Sequence, residues 1–257
     1  ERFSVGGGVN WQRIDAQYKK RTVVPIPALG AALPGNADLT IHGDAWGWNV
    51  GFMLQPNPDT RIGLSYRSRI RHTARGGTRV DNFLPGRSIF YQAEVSVTLP
   101  DTVILSAAHQ LDSRWQLLGD ISWTGWSSIS ELRIQNAGGP TETLPLHFRD
   151  TWRVAVGANY QFAPQWKWRI GIAFDQSPVH DPADRPTSLP DTNRWWISTG
   201  LQYQAGRNTT VDVGYAFLYI RDASIDSTSG NPVINGRVAG SYDSHANILG
   251  IQVSTRF

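Results

Sequence analysis

Residues 166–174 read WKWRIGIAF, and which of its two faces points inward decides the fold. Trp166, Trp168, Ile170, Ile172 and Phe174 share one parity; Lys167, Arg169, Gly171 and Ala173 share the other. Side chains alternate across a strand, so one face is oily and the other is cationic or small. In a soluble sandwich the oily face would be core and the charges would meet water. In a membrane barrel the assignment inverts, with lipid on the oily face and lysine and arginine turned into the lumen.

Bulk composition leaves both assignments open. The chain has 257 residues, 40% of them hydrophobic, and a mean hydropathy of −0.33. No run of about 18 apolar residues exists, which excludes an ordinary transmembrane helix but not a barrel, whose alternating strands average out. Eleven tryptophans against one methionine is an unusual apolar inventory, and tryptophan favours membrane–water interfaces. The net charge of +3 is weak evidence for an anionic partner. Cysteine is absent, which removes disulfides and thiol chemistry. Glu1, Arg2 and Phe3 lead straight into SVGGGVNW with no export segment. The expectation is an excised piece of a longer chain, with a mature form as the alternative.

Period-2 alternation predicts ten strands, near 2–18, 38–55, 61–78, 95–111, 114–131, 148–162, 165–176, 192–204, 209–222 and 241–257. Four connectors are short: 55–60, 112–114, 163–164 and 205–208. The five alternating with them are long: 19–37, 79–94, 132–147, 177–191 and 223–240. Strict short–long alternation puts tight turns at one end and elaborate loops at the other, as in an outer-membrane barrel. The outward face then reads Trp46, Trp48, Val50, Phe52, Leu54 on the second strand and Trp152, Val154, Val156, Tyr160 on the sixth. Rings sit near strand ends and aliphatic residues between them, the pattern of aromatic girdles around a lipid band. A tryptophan-rich sandwich is the competing reading; it would need about ten such faces packed together. The fold expected is all-β, an antiparallel up-and-down transmembrane β-barrel with ten strands present over residues 1–257. Its last strand, ILGIQVSTRF, ends on Phe257.

Two long connectors are oddly apolar. One carries Val23, Val24, Ile26, Leu29 and Leu33, the other Phe83, Leu84, Ile89, Phe90 and Tyr91. Contiguous exposed apolar surface marks a binding site, here one for hydrophobic molecules; the alternative is a cap over the barrel mouth. On the lumenal parity, Arg67, Arg69 and Arg71 form one cationic stripe, and Lys167, Arg169 and Asp175 a second. Arginine suits a bidentate contact with a carboxylate. Equally, Asp120, Asp175 and Asp212 share the interior and could neutralise these cations. The six histidines are scattered, and no nucleophile–base or metal-spaced motif stands out, so no enzyme and no cofactor are expected. Basic residues are not interleaved with a stacking platform, which speaks against nucleic acid.

The chain resembles the C-terminal part of the FadL-type outer-membrane transporters of long-chain fatty acids and other hydrophobic compounds. The matching segments include WGWNVGFMLQPNPDTRIGLSYRS, FRDTWRVAVGANYQF and, above all, FDQSPV, LPDTNRWW and VDVGYAF in order. The resemblance implies a fourteen-stranded barrel with an N-terminal hatch, of which the hatch and the first four strands are missing here. It implies passive uptake: capture on the apolar loops, then transfer to a lumenal pocket with a cation for the headgroup. Lys20 and Asp175 fall on family positions near that headgroup, whereas a further family lysine falls on Leu144, which leaves strict fatty-acid specificity open. Localisation would be the bacterial outer membrane, in contact with its lipid and lipopolysaccharide, as a monomer when complete. An aqueous porin and an aromatic-hydrocarbon channel of the same family are the alternatives; apolar loops argue against the porin.

Overall fold

The structure, a computed structural model, describes residues 2–27, 30–187, 189–227 and 237–256. Among them fourteen antiparallel strand segments form one sheet. They are β1 (Phe3–Ile26), β2 (Ala31–Asn57), β3 (Thr60–Arg67), β4 (Ile70–Asp81), β5 (Ile89–Leu99), β6 (Thr102–Gln110) and β7 (Trp115–Thr124). There follow β8 (Glu131–Asn136), β9 (Glu142–Pro145), β10 (Thr151–Ala163), β11 (Trp166–Asp175), β12 (Arg194–Gln204), β13 (Thr209–Ser227) and β14 (Val238–Thr255). The segments reduce to the ten expected spans. In the half with tight turns the order is β1-β2-β3-β6-β7-β10-β11-β12-β13-β14, every neighbour consecutive along the chain's meander. In the other half β4, β5 and β8 continue β3, β6 and β7, and β9 adds a short hairpin.

The interruptions have local causes. Leu99 and Thr102 are separated by Pro100, which cannot donate to a ladder, and Asp101. Asn49 pairs with Arg67, yet His42 pairs with Arg75, so the second chain carries one extra residue between those pairs. The excess sits at Ser68–Arg69, where the Ser68 N–H bonds the Trp48 carbonyl and the Ser68 hydroxyl accepts from the Trp48 N–H. This is a β-bulge, and it reverses parity beyond it. Arg71 was expected inward with Arg67; the bulge turns it to the outer face instead, with Arg75 and Arg79, while His72, Ala74, Thr78 and Val80 take the buried side.

Four of the five long connectors also differ from expectation. Residues 19–37 are the upper half of a hairpin whose register runs unbroken from Phe3↔Leu54 to Ile26↔Ala31. β13 and β14 likewise pair up to Ser227↔Val238, and residues 132–147 and 79–94 contain β8–β9 and the ends of β4 and β5. Pairing satisfies backbone N–H and C=O groups that a long loop would leave to water. Pro25 and Pro34 mimicked a loop signal, but β1 is an edge among the described strands and β2 at Pro34 lies beyond its last pair with β4, so each proline has a side without a neighbouring strand. Among the described residues, the segment between β11 and β12 is the long connector that stays without strand pairing.

The oily faces point outward. Val9 is 72% exposed, Trp46 67%, Val156 56% and Ile251 70%. At the tight-turn end, Trp115 stacks on Tyr160 with ring centroids 4.4 Å apart and Trp166 meets Tyr203 at 4.5 Å. Phe174 and Trp195 form a matching pair at the other end of the same strands, 5.0 Å apart. Rings at both ends with Ile170, Ile172 and Ile197 between them make a band of the height a ten-residue strand spans. By the usual asymmetry, the tight turns face the periplasm and the long hairpins the outside. The apolar core lies instead on the inner side of the extracellular half, where Leu39, Ile41, Ala74, Ala93 and Val95 pack with Leu132 and Ile134. A second cluster joins Ile129, Leu146, Phe148 and Val179.

Candidate functional site

The two apolar stretches meet at the extracellular end. Val24 and Leu33 are a cross-strand pair. A Cβ placed on Gly35 would lie 3.2 Å from Phe83 and 3.5 Å from Val24, so the Phe83 turn packs directly on this hairpin. Asn82 (φ 59°) and Gly86 (φ 69°) take left-handed conformations that fold the turn back, placing Phe83 and Leu84 half-buried against a groove of about 450 Å³ shared with Arg79 and Arg87. Ile26, Ile89 and Tyr91 share the inner parity of Val24, and Tyr91 lies over Gly139. Val23 and Phe90 are on the opposite face; Phe90, 67% exposed, covers Gly77. Leu29 and Phe257 lie outside the described residues.

The lumenal charges divide into paired and unpaired. Lys20, on the inner face of β1, forms an ion pair with Glu142 of β9, which brings that hairpin across to the first strand. Arg69 is held by Asp101 at 2.9 Å, and Asp101 also accepts from Tyr66, whose ring packs on the outward Trp48. Arg69 therefore belongs to the bulge and the aromatic girdle rather than to the lumenal stripe. Arg169 pairs with Asp212 at 3.0 Å, and the Gln202 amide donates to the same carboxylate. Asp175 pairs with Arg194 at 2.9 Å, and Arg194 reaches on to Asp191, also 2.9 Å. Arg153 and Asp120 add a third bridge at 3.0 Å. The side chains of Arg67 and Lys167 have no hydrogen-bond or ion-pair partner among the described residues. Three buried side-chain atoms are likewise unpartnered there: Asn10 Nδ2, His72 Nδ1 and Trp196 Nε1.

Arg194, Asp191 and Glu142 were not singled out by sequence reading. Arg194 and Asp175 are joined by register across a long loop, and pattern within one strand carries no register. The loop itself is a brace. Ser177 donates to Asp191, and its N–H bonds Asn193 Oδ1. Arg185, only 5% exposed, donates to the carbonyls of Asp191 and Ser224, tying the loop to β13. Burial pushes the Arg185 guanidinium below its ordinary value, against the pull of Asp191 and Asp181. The loop that runs from FDQSPV towards LPDTNRWW thus supplies a latch: Pro178 accepts from the Arg149 N–H, Pro182 from the Asp226 N–H and Thr187 from the Tyr242 hydroxyl. No cluster of three metal-capable side chains occurs among the described residues.

An antiparallel meander with an apolar outer band, aromatic girdles, a charged inner wall and long hairpins at one end defines an outer-membrane β-barrel protein. The family model described as "Outer membrane protein transport protein (OMPP1/FadL/TodX)" matches residues 1–257, and the chain belongs to that family. It is 31% identical over 202 residues to the long-chain fatty acid transport protein of Escherichia coli K12, covering 72% of this chain and 45% of the relative. It is 31% identical over 224 residues to outer membrane protein P1 of Haemophilus influenzae, covering 83% and 48%. The chain spans about half the length of the curated relatives it matches. In fold it resembles a Pseudomonas aeruginosa FadL homologue (TM-score 0.88, 23% identity, 99% of this chain and 64% of that one). It also resembles the P. putida toluene transporter TodX (TM-score 0.65, 14% identity, 99% and 66%).

Proposed function

We propose that the chain forms the wall of a passive outer-membrane channel for long-chain fatty acids or similar hydrophobic molecules. The convergence of Val24, Leu33 and Phe83 around Gly35 carries this reading. It joins both apolar stretches into one extracellular patch, with Ile26, Leu84, Ile89 and Tyr91 beside it. Cargo leaving that patch meets Lys20 first; its Glu142 pair must open before the ammonium can take a carboxylate. Asp175, Arg169 and Arg194 shape the wall below it. Passage needs no bond making, no cofactor and no catalytic group. The relatives' names support fatty acid as cargo, and the toluene transporter supports a wider hydrophobic range. The surrounding partners are outer-membrane lipid and lipopolysaccharide, and the assembly is a monomer.

Binding of radiolabelled oleate and toluene to the full-length protein in detergent micelles tests this reading. Saturable oleate binding is expected, weakened when Val24 and Phe83 are both replaced by serine. Non-saturable uptake of small sugars without oleate binding would mean an aqueous porin instead.

A further inference from the structure

Away from the lumen, one stretch of the outer face carries charge that cargo passage does not use. The bulge at Ser68–Arg69 turns Arg71 outward, and beyond it β4, β5 and β8 continue above the lipid band. A Cβ on Gly47 would lie 2.6 Å from Ile70, which sets the adjacent Arg71 level with Trp46 of the outer girdle. Trp46 and Trp48 are 67% and 51% exposed there. Arg71 pairs in register with Thr98 of β5, and Arg133 of β8 pairs with Ser96, one rung higher on the same strand. The two arginines thus flank β5 from either side, two strand spacings or about 10 Å apart, with the hydroxyls of Thr98 and Ser96 between them. Thr73 stands beside Ser96, oxygen to oxygen 3.4 Å. Neither guanidinium has a hydrogen-bond or ion-pair partner among the described residues. Arg13 and Arg75 on the same face differ: they bond Asp15 at 2.9 Å and Glu94 at 2.8 Å. Two further carboxylates, Asp44 opposite Arg13 and Glu131 at the membrane end of β8, bond neither Arg71 nor Arg133. On the far wall β10, β11 and β12 end at Thr151, Asp175 and Arg194, beside their girdle rings, and offer no such surface.

We propose that this outer patch docks a lipopolysaccharide molecule of the surrounding leaflet. Arg71 and Arg133 close on one of its phosphates over Thr98 and Ser96, while its acyl chains lie against Trp46 and Trp48. The inference rests on the outer-membrane placement of the barrel and is independent of its cargo. A planar guanidinium fork matches phosphate oxygens bidentately, and the serine and threonine hydroxyls can donate to those that remain. The patch lies where an aromatic girdle gives way to headgroups, so a ligand there meets cations above and apolar rings below. That combination fits a phosphorylated lipid and not a free phosphate, which has no use for the exposed tryptophans. The patch is on the extracellular side, whose leaflet is built of phosphorylated glycolipid; phospholipid headgroups of the inner leaflet lie at the tight-turn end.

The test is titration of the full-length protein in detergent micelles with purified bisphosphorylated lipid A, read by tryptophan fluorescence. Lipid A stripped of both phosphates, phosphatidylglycerol and inorganic phosphate are the comparison ligands, and wild type is expected to prefer bisphosphorylated lipid A over all three. Replacing Arg71 and Arg133 together by alanine should weaken lipid A about tenfold or more, the size expected for lost charge-assisted hydrogen bonds. The same variant should bind dephosphorylated lipid A and oleate as wild type does. Lysine at both positions should recover part of the loss. Arg79→Ala, about 26 Å further from the membrane along β4 at ~3.3 Å per residue, should cause none. Glu131→Gln removes an anion from the patch and should tighten binding. Heat-modifiable gel mobility confirms that each variant is folded. Equal binding of dephosphorylated lipid A, or a double variant no weaker than Arg79→Ala, overturns the site. Phosphatidylglycerol bound as tightly as lipid A, or full displacement by inorganic phosphate, overturns the assignment to lipopolysaccharide. Wild-type protein that binds lipid A but not oleate leaves this site standing and sinks the transporter reading.

Discussion

The wall built by β7 and β10–β13 and the wall built by β1, β2, β3 and β6 face the same lumen with opposite chemistry. In the first, Asp120, Asp175 and Asp212 are each bonded to an arginine, and Gln202 and Asn159 complete the network through Asp212 and Gln116. In the second, small residues such as Gly6, Gly51, Gly63, Ser65 and Ser106 line the lumen beside Met53 and Ile104, and the side chains of Arg61 and Arg67 have no partner among the described residues. A charge that is already neutralised holds neighbouring strands in place, and its pair must open before it can take cargo. A charge left open on a smooth surface is available. The difference turns on where the aspartates fall: of the strands in these two walls, only β7, β11 and β13 place carboxylates inward.

The sharpest contrast to test lies in the glycines. A Cβ on Gly157, in the paired wall, would sit 2.9 Å from the Ile170 carbonyl, whereas the Cβ position of Gly6 is free. Gly157→Leu should destabilise the barrel by about 1–3 kcal/mol or more, read as lost heat-modifiable mobility and a lower urea midpoint, while Gly6→Leu folds. Equal damage from both would erase the distinction between the walls. Next in size is Asp175→Asn. It leaves Arg194 to Asp191 alone and should cost about 1–2 kcal/mol for a partly buried pair, with oleate affinity little changed. Arg169→Ala breaks a more exposed bridge, 44% and 21% exposed at its two side chains, and should cost below about 1 kcal/mol; urea titration resolves it.

The smallest effect belongs to a turn outside both walls. Asp112 Oδ1 accepts from the backbone N–H groups of Arg114 and Trp115, at 2.7 and 2.9 Å, and these bonds hold its carboxyl below the ordinary value. A depressed folded value stabilises above the unfolded pKa of about 3.9 and loses that stabilisation as pH falls through the folded one. Asp112→Ala should therefore lower the urea midpoint slightly at neutral pH and not at all in strong acid. A pH-independent difference would mean the turn does not depend on the ionised group.

Much of the architecture is legible along the chain because a strand's two-residue period is local. WKWRIGIAF shows which residues share a face, and with it Trp168, Ile170 and Ile172 turn outward, 41%, 39% and 45% exposed. The tight turns were legible for the same reason. The upper hairpins were not: above the membrane the outer face leaves lipid for water, the oily-outward alternation stops, and Pro25, Pro27 and Pro34 read as loop. Of the site, the apolar stretches at 22–35 and 83–91 stood out by composition, but their meeting at Gly35 depends on pairing between strands.

The alternation by itself determined the β-barrel class, the lipid-facing side, the periplasmic turns and the inward parity of Arg67, Arg169 and Asp175. Tertiary structure alone decided which cations remain available. One extra residue at Ser68–Arg69 sends Arg71 outward, and the register of β11 against β12 and β13 gives Asp175 to Arg194 and Arg169 to Asp212. Parity is a property of one strand. Register is a property of two, and whether an arginine is spent or free depends on the second.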